Sequence, residues 1–145
     1  MSLYLLDTNI FSLYLRRDPI VTSRLNAMRL EDVAVSIITV EEVLTGWFTR
    51  IHRAKSRADI AYCYQQASVA VAALAQVRII AYTEMAIVRY EMLKAMKLNV
   101  SGNDLRIAAI ALEFDGIVVT QNVRDFERIP GLIIEDWTVP NSPGG

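Results

Sequence analysis

Short runs rich in valine and isoleucine alternate with longer segments of helical periodicity along nearly the whole chain. In those longer segments apolar residues recur every three or four positions, which is typical of amphipathic helices. The alternation predicts an α/β domain with a mostly parallel central sheet of about five strands flanked by helices. The expected strands are Leu3–Leu6, Val33–Ile38, Arg78–Ala81, Ile117–Thr120 and Leu132–Glu135.

Capping residues mark the expected helix starts. Asp18 precedes Pro19, an order that suits the first turn of a helix. Thr39 with Glu42 three residues later matches a capping box, which places Glu42 in the first turn. Three further helices are expected to open at Ser56, Thr83 and Asn103.

The chain is expected to form one domain over residues 1–138. Its 145 residues suit a single core. Residues 139–145 are mostly proline, asparagine, serine and glycine, so we expect a flexible C-terminal tail there. Apolar residues make up 53% of the chain, which is high for this size. Part of that surplus is therefore expected in an interface, with a second copy or a tightly held partner.

Charge and cysteine content narrow the class of protein. Fifteen basic and sixteen acidic residues give a net charge of −1, which excludes a general polycation, so any nucleic-acid contact must be local. Cys63 is the single cysteine and no signal-peptide pattern opens the chain, so a cytoplasmic protein is expected. The apolar run Val69–Ala75 is far shorter than the roughly 20 residues of a membrane span.

Four acidic residues fall near the ends of predicted strands. Asp7 directly follows the first strand, and Glu42 comes a few residues after the second. Asp104 opens the helix that leads into the fourth strand, and Asp125 follows that strand. Each one alone fits a cap, a helix-dipole contact or a solvated turn. Together they fit one site, because ligands of open parallel sheets bind beyond the carboxyl ends of the strands.

Converging carboxylates repel one another and favour a bound cation. His52 is the only histidine and Cys63 the only cysteine, so an ordinary zinc site lacks ligands. An all-oxygen site suits Mg²⁺ or Mn²⁺. Such ions activate water and stabilise charge on a phosphate, so phosphodiester hydrolysis is the best chemical fit.

Four segments in order carry recognisable motifs. They are Leu5-Leu6-Asp7-Thr8-Asn9, Ser36–Glu42 with Gly46 four residues on, Asn103–Ala109, and Val119–Leu132 followed by Glu135-Asp136-Trp137. These segments resemble the PIN-domain family, and the likeness is greatest to the VapC toxins of bacterial toxin–antitoxin pairs. The resemblance spans residues 3–137, nearly the whole chain.

This resemblance implies a three-layer, Rossmann-like domain, a homodimer, and metal-dependent cleavage of RNA. It also implies inhibition by a small cognate antitoxin. By position, the family's acidic quartet corresponds to Asp7, Glu42, Asp104 and Asp125, which makes them the expected catalytic residues and ligands of Mg²⁺ or Mn²⁺.

Two positions in the quartet have rivals. Glu41 adjoins Glu42, but the four-residue step to Gly46 selects Glu42. Many PIN domains carry the last acid three places before Asp125, where this chain has Asn122, whereas the VapC toxins favour Asp125. Residues expected to support the acids, with the asparagines orienting a carboxylate or a water, are Asn9, Asn122 and Thr39.

A basic stretch and three aromatic residues have more than one interpretation. The stretch either contacts an RNA backbone or the antitoxin, or is a solvated helix face. The aromatic residues either stack bases or are partly buried against a second copy or the antitoxin, and the second interpretation is favoured. The basic residues are Arg50, His52, Arg53, Lys55 and Arg57, and the aromatic ones are Trp47, Tyr62 and Tyr64.

Two other functions are compatible with the acids. One is a PIN-like binding module without activity, and the other is a metal-dependent phosphatase or DNA nuclease. The preference for RNA comes from the resemblance alone, because no residue type reads the 2′-hydroxyl by itself.

Overall fold

A computed structural model describes residues 2–140 of the chain, so residues 141–145 of the predicted tail lie outside the described residues. Five strands form one sheet in the order β3-β2-β1-β4-β5, and every neighbouring pair is parallel. The strands are β1 (Leu3–Leu6), β2 (Val33–Ser36), β3 (Arg78–Ile80), β4 (Gly116–Val119) and β5 (Ile133–Glu135).

Seven α-helices in the described part of the chain connect and cover these strands. A short 3₁₀ helix precedes β2. No helix in residues 2–140 is long and apolar enough to cross a membrane. The α-helices are α1 (Thr8–Leu15), α2 (Pro19–Asn26), α3 (Ile37–Arg53), α4 (Arg57–Leu74), α5 (Glu84–Ala95), α6 (Gly102–Glu113) and α7 (Val123–Phe126).

The helices form two layers, one on each face of the sheet. Neighbouring strand residues point to opposite faces, as the pleat requires. Leu5 therefore packs with Ile107 and Ile110 of α6, whereas Leu6 packs with Phe11 of α1 and Ala70 of α4. The predicted three-layer α/β architecture is confirmed.

The boundary between β2 and α3 lies earlier than predicted. Ser36 caps α3, since its hydroxyl accepts a hydrogen bond from the amide of Thr39 at 3.2 Å. Ile37 and Ile38, expected to end the strand, are the first helical residues. The predicted capping box of Thr39 and Glu42 is therefore wrong, and Glu42 lies in the second turn of the helix.

The other predicted helix starts are confirmed with one exception. The side chains of Asp18, Ser56 and Thr83 each accept a backbone N–H in the first turn of their helices. The expected start at Asn103 is wrong, because the hydroxyl of Ser101 accepts the capping hydrogen bond at 3.2 Å. The helix thus opens closer to the preceding loop, and Asn103 is its second residue.

The order of the strands reverses between β1 and β4, which places a crevice beyond the carboxyl ends of these two neighbouring strands. The chain moves outward from β1 through β2 to β3 and then returns to add β4 and β5 on the other side. Ligands of such sheets bind beyond the carboxyl ends of the strands at this reversal. Asp7 leaves β1 at that point, and its amide donates a hydrogen bond to the Val119 carbonyl at 2.9 Å.

Candidate carboxylate site

Asp7 is fixed in place by the helix that it caps. Its carboxylate accepts a hydrogen bond from the Ile10 amide at 2.9 Å, which makes Asp7 the N-cap of α1. The residue is only 5% exposed. The structural role considered from the sequence is therefore present. This capping role accounts for the placement of the carboxylate but not for the nearby acids Glu42 and Asp104.

The surroundings of Asp7 penalise its negative charge. Burial raises the pKa of Asp7 to about 6, and the negative charges of Asp104 and Glu42 act in the same direction. The Thr120 hydroxyl and the Ile10 amide oppose this rise without cancelling it. An acid that is buried among other acids gains most from a bound cation.

Glu42 is held toward the start of α1 by a pair of threonines. The Thr8 hydroxyl donates a hydrogen bond to Glu42 Oε1 at 2.6 Å, and the Thr8 and Thr39 hydroxyl oxygens lie 3.1 Å apart. Thr39 is fully buried. Glu41 is exposed and is not the acid that Thr8 holds. The structure therefore brings Glu42, with Thr39 beneath it, to the Asp7 end of the sheet.

Asp104 and Asp125 are joined by Asn122. The Asn122 amide group donates to Asp104 Oδ2 at 3.3 Å and to Asp125 Oδ2 at 3.0 Å. Arg128 Nη1 lies 3.2 Å from Asp125 Oδ1 and partly neutralises that acid. Asn122 and Asp125, posed as rivals from the sequence, thus lie at the site together, with the amide as the bridge.

The pKa of Asp104 is also raised. Burial is the main cause, and the negative charges of Glu42 and Asp125 add to it, whereas hydrogen bonds from Ser101 and Asn122 work in the opposite direction. Asp104 is therefore within electrostatic reach of the other three predicted acids, Asp7, Glu42 and Asp125. Asn9 is different, because it is exposed on α1 and the acids receive their hydrogen bonds from other residues.

The donor set fits a hard divalent cation that keeps part of its water. The site offers carboxylate oxygens, which Mg²⁺ and Mn²⁺ prefer. Within residues 2–140, no three His, Cys, Asp or Glu side chains are close enough together to hold an ion by themselves. An ion would thus be held by one or two carboxylates and by water, which is the usual manner of Mg²⁺ binding.

Three residues of this site are not among the sequence candidates. Thr8 binds Glu42, Thr120 lies beside Asp7, and Arg128 pairs with Asp125. Thr8 and Thr120 had a signal, because each lies at or just beyond the end of a predicted strand. Arg128 had none, since an arginine three residues after an acid is common on any solvated helix.

The family profile described as PIN domain matches residues 4–132. The chain belongs to the PIN domain family. Ribonuclease VapC1 of Haemophilus influenzae is 29% identical over 143 residues, which cover 94% of this PIN domain chain and 98% of the relative. Ribonuclease VapC2 of Haemophilus influenzae is 32% identical over 142 residues, with 92% and 97% covered.

One chain of a solved complex has the same fold as this PIN domain. The crystal structure of DNA-bound VapBC from Salmonella typhimurium contains a chain that superposes with a TM-score of 0.78 at 28% identity. The match covers 94% of this chain and 99% of that one. The likeness therefore extends over the whole fold and is not limited to the sheet edge.

Asn122→Ala in this PIN domain is expected to lower the rate of the phosphodiester hydrolysis predicted from the sequence by roughly 10- to 100-fold. Residues that orient metal-binding carboxylates typically contribute about that much to activity. The amide bridge between Asp104 and Asp125 would be lost, and the two charges would face each other without it. Steady-state cleavage rates measure the effect. Gln121→Ala, an exposed neighbour outside the bridge, is the control and should change the rate less than twofold. Equal rates for both variants would contradict the bridging role.

Proposed function

We propose that this PIN domain is the toxin of a toxin–antitoxin pair and acts as a metal-dependent endoribonuclease of the VapC type. One observation carries the proposal: beyond the carboxyl ends of β1 and β4, Asp104 lies within electrostatic reach of Asp7, Glu42 and Asp125. Thr8 holds Glu42, and Asn122 joins Asp104 to Asp125. The relatives named ribonuclease VapC support RNA as the substrate.

In this proposal Asp7 and Asp104 are the direct ligands of Mg²⁺ or Mn²⁺. They are the two acids whose pKa is raised by burial and by the neighbouring charges. A divalent ion held by these two aspartates would supply activation of a water and stabilisation of charge on a phosphate. Both aspartates would bind the ion in their ionised form, so a divalent charge would offset the burial and the repulsion that raise their pKa.

Glu42 and Asp125 complete the site from either side. The Thr8 hydroxyl donates to one oxygen of Glu42, which leaves the other free to accept a proton from a water. Asp125 has both oxygens engaged, one by Asn122 and one by Arg128. Glu42 is therefore better placed than Asp125 to serve as the general base, and Asp125 to orient its neighbours.

The partners belong to the same proposal. The VapBC complexes among the structural relatives support a cognate antitoxin. A homodimer is supported by exposed apolar side chains on α5, since Met85 is 58% and Met92 59% exposed in the single chain. A cytoplasmic location is supported by the single cysteine, which is buried and free.

A panel of substrates tests the proposed chemistry. The purified protein, supplied with Mg²⁺ or Mn²⁺, is given single-stranded RNA, single-stranded DNA of the same sequence, and a phosphomonoester. We expect internal cleavage of RNA and little turnover of the other two. Preferential turnover of DNA or of the monoester would instead identify a DNA nuclease or a phosphatase. No turnover, together with no metal binding at millimolar concentration by calorimetry, would identify an inactive binding module.

A further inference from the structure

A cleft of about 320 Å³ leads away from the acids along α3. Its lining begins at Thr8 and Glu42 and continues past Gly46 to Trp47 and Arg50. Glu42, Gly46 and Arg50 are spaced by four residues, so they lie on one face of the helix. Eight residues of helix separate Glu42 from Arg50, a distance of about 12 Å. The cleft thus extends directly from the proposed catalytic centre.

The far end of the cleft combines aromatic rings with a cation. The Arg50 guanidinium lies 4.9 Å from the centroid of Trp47 and 5.8 Å from that of Tyr62. The two rings meet edge to face, with centroids 6.4 Å apart. Tyr62 is 50% exposed, so part of the residue is accessible to a ligand. Aromatic and guanidinium surfaces of this kind are what proteins use to stack the bases of single strands.

The charged residues that line the cleft are unevenly placed. Glu42 lies at the end next to the acids, and the rest of the lining carries Arg16 and Arg50. Within residues 2–140, neither of these arginines has a carboxylate partner within 4.0 Å. An arginine without a carboxylate partner can pair with a phosphate while its plane stacks on a ring.

Gly46 also lines the cleft. Glycine weakens a helix interior relative to alanine, and this one lies in the middle of α3. A methyl group there would meet nothing within 4 Å, so the packing of the chain itself does not require glycine. Gly46 also lines the shallower depression that holds Glu41 and Asn103. Because Gly46 has no side chain, the cleft stays open at this position beside Glu42.

We propose that this cleft, from Glu42 over Gly46 to the Trp47–Arg50–Tyr62 cluster, binds the single-stranded RNA next to the scissile phosphate. A base stacks on the aromatic pair, and Arg16 and Arg50 hold the backbone phosphates. The proposal rests on the proposed function and adds a substrate subsite to it. It assigns Trp47 and Tyr62 to base stacking, which the sequence interpretation had placed second to burial against a partner.

Binding of a fluorescein-labelled, random-sequence 12-nucleotide RNA in EDTA tests the subsite without hydrolysis. Arg50→Gln and Arg16→Gln should each weaken affinity about tenfold and reduce the slope of log affinity against log salt by about 0.7, as loss of one phosphate contact predicts. Arg17→Gln is the control, because Arg17 adjoins Arg16 and does not line the cleft. Its affinity should stay within twofold of the wild type.

Gly46→Ala separates binding from folding. The added methyl group should leave the melting temperature unchanged or raise it, and should still weaken RNA binding by narrowing the floor of the cleft. Melting curves for all four variants confirm that each is folded.

Unchanged RNA affinity in Arg50→Gln and Arg16→Gln would overturn the subsite and leave the cleft to a protein partner. An equal loss in Arg17→Gln would also overturn it, since the effect would then be one of general charge. A wild type that hydrolyses RNA while these variants bind normally retains the proposed function and loses the subsite. A wild type that binds RNA through the cleft and hydrolyses none retains the subsite and loses the function.

Discussion

Asp7→Asn is expected to lower RNA hydrolysis by roughly a thousandfold or more, because a direct metal ligand supports several kcal/mol of transition-state stabilisation. The change keeps the shape of the side chain and removes its charge. Asparagine is as good an N-cap as aspartate, so the hydrogen bond from the Ile10 amide that starts α1 is retained. The loss of activity would therefore not come from a misplaced helix.

The same variant is expected to be more stable than the wild type when metal is absent. The pKa of Asp7 rises from 3.8 to about 6 on folding, a difference equivalent to about 3 kcal/mol. Because the folded pKa is the higher one, this contribution favours folding below pH about 4 and is lost as the pH rises through about 6. The asparagine side chain of the variant does not titrate and escapes that loss.

Urea unfolding in EDTA between pH 4 and pH 8 measures this difference. The free energy of unfolding of Asp7→Asn minus that of the wild type should grow with pH and level off above about 7, since Asp7 is then largely ionised. Asp18→Asn is a matched control, because Asp18 caps α2 in the same manner and is not one of the four acids of the site. This control removes an N-cap carboxylate outside the site, so it should lack the gain in stability expected for Asp7→Asn. A flat difference for Asp7→Asn would contradict the penalty that burial and neighbouring acids place on the Asp7 charge.

Metal is expected to raise the melting temperature of the wild type strongly and that of Asp104→Asn weakly. A ligand at a hundredfold excess over its dissociation constant stabilises the folded state by about 2.7 kcal/mol. In the described part of the chain, Arg128 is the one cation paired with any of the four acids, so their remaining charge is available to an ion. Removing the Asp104 charge removes a proposed ligand.

Melting curves at increasing Mg²⁺ and Mn²⁺ concentrations give the answer. Asp115→Asn makes the same chemical change at an exposed turn, where a positive φ of 57° suits asparagine. This control should gain as much stability from metal as the wild type does. An equal gain in Asp104→Asn would place the ion elsewhere.

The sequence predicts the fold well and the boundaries between strands and helices less well. β1 matches its predicted range because Leu3–Leu6 is bounded by a polar residue on each side. Val33–Ile38 is apolar except for Ser36, so the pattern of apolar residues alone does not show that the strand ends there. Ser36 decides the boundary through a capping hydrogen bond, which a search for Thr-x-x-Glu overlooks.

The acids of the site could be predicted because each lies close in sequence to a strand end or a helix start. The contacts that hold them could not, since they join distant parts of the chain. Thr8 binds Glu42 across 34 residues, and Asn122 reaches Asp104 across 18. Only the folded chain shows that Asn122 and Asp125 are hydrogen-bonded to each other.

Hydrolysis of RNA by metal-stripped protein, with Mg²⁺ or Mn²⁺ then titrated back, tests the central claim most directly. We expect no cleavage in EDTA, recovery that saturates with added metal, and no recovery in Asp7→Asn. Cleavage that continues at the same rate in EDTA, or that returns in Asp7→Asn, would show that these carboxylates are not the metal-binding catalytic centre.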